Sequence, residues 1–529
     1  MPFRPLSWRV QATRRFAVLL AVLLPAAAAA QGRPIGTYAR GPLRLVLTDS
    51  SFRVQLGEEL GAAGTARWRG DSMVVLTDTA GPRACRAGEA GSYAVAARGD
   101  SLRFTAVSEA CAGRRGVFAG GAFVKPTLSV HVLNGVTLVD GTGAAARAGM
   151  SLVIRAGRIA EIYPTGSRTS PAGARVEDLA GRWVIPGLID AHVHLATDPS
   201  GDDNRAAITA KLRSELRGGV TSVRDMAGDA RALGELARGT LVGDIEGPDI
   251  FGSAIWAGAD FMSDPRVGAS TKGTTAGVEP WMRTVSPTTD FRSAALEAKG
   301  SGVRGIKLYA DASADVVRGA VPAAHAAGLR VWSHATLFPA RPSDLVDAGV
   351  DVLSHAPLLA WEGVDSLPNY RQRYAVPYAR VEPGAPAITR LLQRMAERQV
   401  LFEPTLFVFL RANTPREAAD WAVAVTRRAA ELGVPIVAGT DDMIATHSDS
   451  LPHLHRELVL LVSAGLTPMQ ALQAATFNAA RAIGIEERTG TLRPGLAADL
   501  VVLGADPLAD IRNTQKVERV MKRGTWVKR

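Results

Sequence analysis

The sequence predicts an α/β fold: a (β/α)8 TIM barrel with a discontinuous composite β-sandwich domain and an extra N-terminal all-β module. Three observations predict it. Residues 187–487 alternate apolar strand-like runs with helical, often alanine-rich stretches about eight times, as repeated strand–helix units do. Two β-rich pieces, 126–186 and 488–529, flank that region like the halves of one domain closing around a barrel. Residues 31–125 read as short strands parted by turns.

Taken in order, residues 1–30 have the anatomy of a secretory signal. Arg4, Arg9, Arg14 and Arg15 supply the charged start, Phe16 to Leu24 the apolar run, and Pro25 with Ala26 to Ala30 the cleavage region. The run is shorter than the ~20 residues a bilayer span needs, so cleavage rather than anchoring is expected. Thr13-Arg14-Arg15-Phe16 also resembles a twin-arginine signal. The expected location is periplasmic or secreted, with no stable membrane anchor after cleavage. Removing the four arginines takes the formal charge from +10 to +6. No basic stripe interleaved with aromatics remains, which argues against nucleic-acid partners.

In 31–125, the segments starting at Leu43, Ser72, Ser92 and Ser101 alternate or run apolar over strand lengths, as a sandwich or a lipocalin-like barrel would. A binding cup and a structural appendage fit this module equally well. Its Cys85 and Cys111 are the chain's two cysteines. Export makes a disulfide between them the expected state, with two separate buried thiols as the alternative.

The first part of the composite domain has strands at 130–139, 150–155 and 158–163; the second has Asp499-Leu-Val-Val-Leu, Val517 to Val520 and Trp526-Val527. Between them the expected barrel strands are 188–194, 220–225, 249–256, 303–309, 329–334, 350–355, 400–405 and 434–441. Helices are expected at 314–327 and 416–432. No glycine-rich dinucleotide fingerprint follows any of these strands.

Ionisable residues recur at the strand ends. His192 and His194 close the first strand in Gly187-Leu-Ile-Asp-Ala-His-Val-His-Leu. Residues i and i+2 of a strand face one side, so both imidazoles can reach one metal. Lys307 lies near the end of strand four, His334 ends strand five, His355 strand six and Asp441 strand eight. Strand C-termini form the active-site mouth of this fold. Buried polar groups in such number need partners, and neutral imidazoles with a carboxylate suit a divalent ion such as zinc.

This pattern resembles the amidohydrolase superfamily, near its imidazolonepropionase and prolidase-like branches, from about Val130 to the C-terminus. The resemblance implies one or two divalent metals, zinc above all, held by His192, His194, His334, His355 and Asp441. Lys307 would bridge two of them as a carbamate, and Asp441 would also shuttle the catalytic proton. After Lys307 the chain reads Leu-Tyr-Ala-Asp rather than the glycine-rich run of the peptidase members.

The activity expected is hydrolysis of an amide, cyclic amide or dipeptide-like C–N bond by metal-activated hydroxide. Ester, lactone or phosphoester hydrolysis on the same site, or a binding protein that has lost catalysis, are the alternatives. The partner is a small-molecule or peptide-like substrate, and a homo-oligomer is compatible with the sequence. Of the other histidines, His131 precedes the barrel, His325 reads as structural, and His447, His453 and His455 as surface-loop or mouth positions. Asp442 should point away from Asp441. The long segments 257–290 and 357–386 are candidates for substrate selection.

Overall fold

The computed structural model describes residues 33–528, apart from 58, 87, 100, 126–129, 196–203, 374, 412–413 and 444–450. The expected signal segment and His447 therefore lie outside the described residues. The chain forms two compact units, 1–127 and 128–529. No described helix is long and apolar enough to cross a membrane.

In the first unit, eight strands from Gly36–Arg40 to Phe123–Val124 pair antiparallel in sequence order. The last returns to the first at Ala39↔Val124, so the sheet closes into a barrel. Strand alternation turns Leu45, Leu47, Phe52, Val54, Val74 and Leu76 inward. A helix, Ala112–Ala119, adds Phe118, whose ring centroid lies 5.0 Å from that of Phe104 and 5.8 Å from that of Phe52. Beside them is a buried ion network. Arg114 donates to Glu109 at 2.7 Å and to Asp78 at 3.0 Å, and the Tyr93 hydroxyl donates to Glu109. Cys85 and Cys111 form a disulfide.

The second unit contains two sheets. One has eight strands and draws on both β-rich pieces: Trp183–Pro186 pairs antiparallel with Leu500–Leu503. Leu133, Leu152, Val184, Leu500, Val502 and Met521 share one apolar core across the 300-residue insertion.

The other is a parallel sheet whose strands are Leu188–His194 (β1), Val220–Asp225 (β2), Asp249–Ala257 (β3), Gly305–Leu308 (β4), Arg330–His334 (β5), Val352–Ser354 (β6), Leu401–Glu403 (β7) and Asp442–Met443 (β8). Neighbours run in order from β1 to β7, and β8 pairs with β1. The chain leading into β8 joins both edges. The amide of Phe402 donates to the Pro435 carbonyl at 2.9 Å, and that of Ala191 to Ala438 at 3.1 Å. The strands are buried on both faces, as expected when side chains fill the interior and helices cover the outside. Two of those helices are Ala314–Ala326 and Arg416–Glu431.

Candidate metal centre

The site begins with the way β1 is stitched to the chain before β8. Asp190 is buried; its Oδ1 accepts the amides of His192 at 3.1 Å and Thr440 at 3.0 Å. Its Oδ2 accepts the Thr440 hydroxyl at 2.8 Å. The Asp441 amide then donates to the His192 carbonyl at 2.8 Å. This registration brings Asp441 Oδ1 to 2.8 Å from His194 Nε2 and 3.3 Å from His192 Nε2. One ligand atom from each of these three residues lies within 4.8 Å of the others.

The remaining strand-end residues meet at the same place. Lys307 Nζ, on β4, is 3.2 Å from His192 Nε2. The His355 ring centroid is 5.1 Å from that of His192 and 4.7 Å from that of His334. His355 Nδ1 lies 3.8 Å from Asp441 Oδ2. Three non-glycine residues just beyond β6, β7 and before β8 have left-handed backbones: His355 (φ 77°), Thr405 (φ 50°) and Asp441 (φ 54°). Such conformations persist only where surrounding bonds over-determine them. Here the His355 amide donates to the Glu403 carbonyl at 2.9 Å, and its Nδ1 lies 3.0 Å from Thr405 Oγ1.

Burial sets the charge states. Burial, reinforced by the Lys307 ammonium, lowers the His192 pKa to about 4. His334 and His355 are also held well below the ordinary imidazole value, chiefly by burial. All three are therefore neutral bases near pH 7, the form that ligates metal. Burial lowers Lys307 to about 8, even against the attraction of Asp441 and Glu403. Burial alone would raise Asp441, but His192, His194 and His355 together hold it well below the usual carboxylate range. Asp441 lies deep in the unit, yet 20% of its side chain is open to the adjoining cavity.

Two residues of this centre carry no sequence expectation. Glu403, on β7, is buried, and its Oε2 lies 2.8 Å from His192 Nδ1. It also accepts from Ser354 Oγ at 2.7 Å and from Arg224 Nη2 at 2.6 Å. Burial would raise its pKa, but Arg224 and His192 bring it down to about 2. Accepting the Nδ1–H of His192 leaves Nε2 unprotonated, its lone pair facing Lys307 Nζ, the second-partner arrangement common to metal-bound histidines. A charged residue inside each of two expected strands, Arg224 in 220–225 and Glu403 in 400–405, was the available signal.

These residues fit a divalent cation. Several imidazoles are neutral and a carboxylate is ionised. His334 Nδ1 is buried without a hydrogen-bond partner among the described residues, a position that a ligand atom would explain. The adjoining cavity, about 240 Å3, is lined by His194, Lys307, His334, His355 and Asp441. Phe261, Arg266 and Met282 from the segment after β3 complete its wall with Tyr309 and Arg411.

His453 and His455 correct the surface expectation, since both are buried. His453 Nδ1 lies 2.7 Å from Asp442 Oδ2. His455 meets the Gly218 carbonyl at 2.9 Å and Thr514 Oγ1 at 3.0 Å, a structural role. Asp442 turns away from Asp441 and pairs with Lys211 at 3.1 Å and Arg411 at 3.2 Å. His325 ends a helix beside Asp351, and His131 lies on a composite-domain strand 3.8 Å from Glu177.

A model of the amidohydrolase family matches residues 183–338 and 399–527, more than half of the chain. The chain belongs to the amidohydrolase family. It is similar to the imidazolonepropionase of Deinococcus deserti, with 28% identity over 408 residues, 71% of this chain and 92% of that one. The dihydroorotase of Pelotomaculum thermopropionicum is 27% identical over 421 residues, 70% of this chain and 89% of that one. Among solved structures, a prolidase complexed with N-methylphosphonate-L-proline matches with TM-score 0.59 and 26% identity, covering 76% of this chain and all of the other. A Xaa-Pro dipeptidase with bound methionine shares the amidohydrolase fold, with TM-score 0.59, 22% identity and the same coverage. Proteins of this family bind divalent metals.

Proposed function

We propose that this amidohydrolase-family enzyme is exported and hydrolyses the C–N bond of an amide, cyclic amide or dipeptide-like substrate, on a closed (β/α)8 barrel. The observation that carries the reading is the convergence of His194, Lys307, His334, His355 and Asp441 on one cavity, with buried His192 directly behind them against Lys307 and Asp441. Similarity to an imidazolonepropionase, a dihydroorotase and a prolidase supports the choice of bond. The Cys85–Cys111 disulfide supports export, because such bonds persist in oxidising compartments.

Zinc is the metal these nitrogen and oxygen donors favour, and when bound it supplies a water of lowered pKa and polarises the scissile carbonyl. The chain's residues do the rest. His192, His334 and His355 offer neutral nitrogens, and His194 adds a fourth ring to the set. Glu403 fixes the His192 ring. Asp441, ionised and open to the cavity, takes a proton from the attacking water and returns it to the leaving nitrogen. A fraction of buried Lys307 is neutral near pH 7, and that amine adds to carbon dioxide with loss of one proton. The product is an anionic carbamate with two ligand oxygens in place of a repelling ammonium.

The test is metal content by mass spectrometry together with turnover of a panel of dipeptides, N-acyl amino acids, cyclic amides, esters, lactones and phosphoesters. Turnover of a C–N substrate should scale with bound metal and fall about 100-fold or more in Asp441→Asn, with the fold intact. Turnover confined to esters, lactones or phosphoesters would refute the bond assignment. A metal-free protein inert to the whole panel would leave a binding protein. Lys307→Ala should lose metal and activity, with partial recovery on adding short carboxylic acids. An unmodified ammonium in metal-loaded, active protein would remove the carbamate.

A further inference from the structure

The family match begins at residue 183, so it assigns nothing to the N-terminal barrel. Eight-stranded barrels have interiors just wide enough to be filled by side chains or to hold one small ligand. This one is incompletely filled. A cavity of about 170 Å3 remains between its strands and the helix Ala112–Ala119, walled by Leu43, Phe52, Val54, Leu56, Val117 and Phe118. Gly61 and Ala62 widen it, bringing no side chain longer than a methyl to the wall. Leu43, Leu56 and Val117 are only half-buried, so apolar surface facing the opening stays wet when the cavity is empty.

Polar groups at the cavity are of two kinds. On the floor, Arg114 and Asp78 are already committed. All three Arg114 nitrogens donate to Glu109 or Asp78, and the second Asp78 oxygen accepts the Cys85 amide at 2.6 Å. The floor thus offers a ligand little new hydrogen bonding. Arg83, by contrast, is exposed, and among the described residues its guanidinium has no ion pair or hydrogen bond. Its backbone amide donates to the Gly61 carbonyl at 2.9 Å, which fixes the residue beside the cavity wall. The Cys85–Cys111 disulfide ties its loop to the start of the helix that carries Val117.

We propose that this barrel is a second binding site, for a small amphipathic acid whose ring or short chain fills the cavity and whose carboxylate meets Arg83. The volume sets the size, since an apolar cavity of roughly 150 Å3 holds one benzene ring. The saturated floor makes the inner end of the ligand apolar, and a guanidinium with no partner among the described residues makes its outer end anionic.

Calorimetric titration of the full chain with 3-phenylpropanoate, 3-phenylpropanol and 3-phenylpropylammonium tests the assignment. The acid should bind about threefold tighter than the alcohol, the scale of an exposed ion pair, and the amine weakest. Arg83→Ala should erase the acid's advantage while the alcohol still binds. Val117→Trp and, independently, Leu43→Trp should fill the cavity and abolish binding of all three in variants that keep the parent's unfolding transition. Binding that survives both tryptophan variants belongs elsewhere in the molecule and overturns the proposal. So does the lack of saturable binding up to about 10 mM, or an acid that binds no tighter than the alcohol.

Discussion

Exchanging Glu403 for Gln removes one negative charge from the buried face of the parallel sheet while keeping the side chain's shape. Glu403 is buried and serves three groups at once: His192 at 2.8 Å, Arg224 at 2.6 Å and Ser354 at 2.7 Å. In the variant, Arg224 stays buried and cationic, stacked 4.5 Å over Trp332, without its counter-charge. Breaking a buried pair by removing one partner destabilises by about 3–5 kcal/mol. The lower end is expected here, because the amide oxygen still accepts a hydrogen bond and ionised Asp351 lends Arg224 some negative potential. A second consequence is specific to the metal reading. Without the carboxylate, the His192 tautomer is no longer enforced, and metal affinity should fall about 10–100-fold. Chemical denaturation of the metal-free chain reads the first effect, and competition with a fluorescent zinc chelator reads the second. Adding Arg224→Met should recover most of the stability and none of the metal affinity. A Glu403→Gln protein within about 1 kcal/mol of the parent, with unchanged metal affinity, would refute both arguments.

Three further outcomes follow from the same structure. His192→Ala and His334→Ala should each lower metal content and turnover together; full metal occupancy with full turnover in both would remove the proposed centre. Reducing Cys85–Cys111, which closes a separation of 26 residues, should destabilise the N-terminal barrel by about 3.5 kcal/mol, read by denaturation with and without reductant. Burial alone would raise the Asp249 pKa, but Lys522, Arg488 and Arg523 pull it from 3.8 to about 2. Its contribution, about 2 kcal/mol, is complete above pH 4 and is lost as the pH falls towards 2. In Asp249→Asn that acid limb should flatten, and an unchanged limb between pH 4 and 2 would show that the triad of cations does not act as described.

Much of the candidate site was legible because its logic is local. His192 and His194 share a side through the two-residue period of a strand, which needs no knowledge of the rest of the chain. Lys307, His334, His355 and Asp441 stood out because each falls near a boundary between an apolar run and a helix. Parallel strands in one barrel carry all such boundaries to the same mouth. Glu403 and Arg224 broke the pattern of their strands just as visibly. What they neutralise was not readable, since the two lie 179 residues apart. His453 and His455 looked like loop residues because their burial is supplied from elsewhere, for His455 by Gly218 and Thr514.

The sequence by itself determined the period and order of the elements, and hence a parallel sheet of repeated strand–helix units with imidazoles at its strand ends. Side-chain alternation, turn residues and helical spacing act between near neighbours, so they survive in one dimension. Only the tertiary structure decided which edges meet. Consecutive antiparallel hairpins suit a sandwich or a barrel equally, and the N-terminal module is a barrel because Ala39 finds Val124. The cavity inside it, the Arg224–Glu403–His192 chain and the left-handed turns at His355, Thr405 and Asp441 belong to the same class. Each depends on how distant segments fill a shared volume and balance a shared charge, which no local pattern encodes.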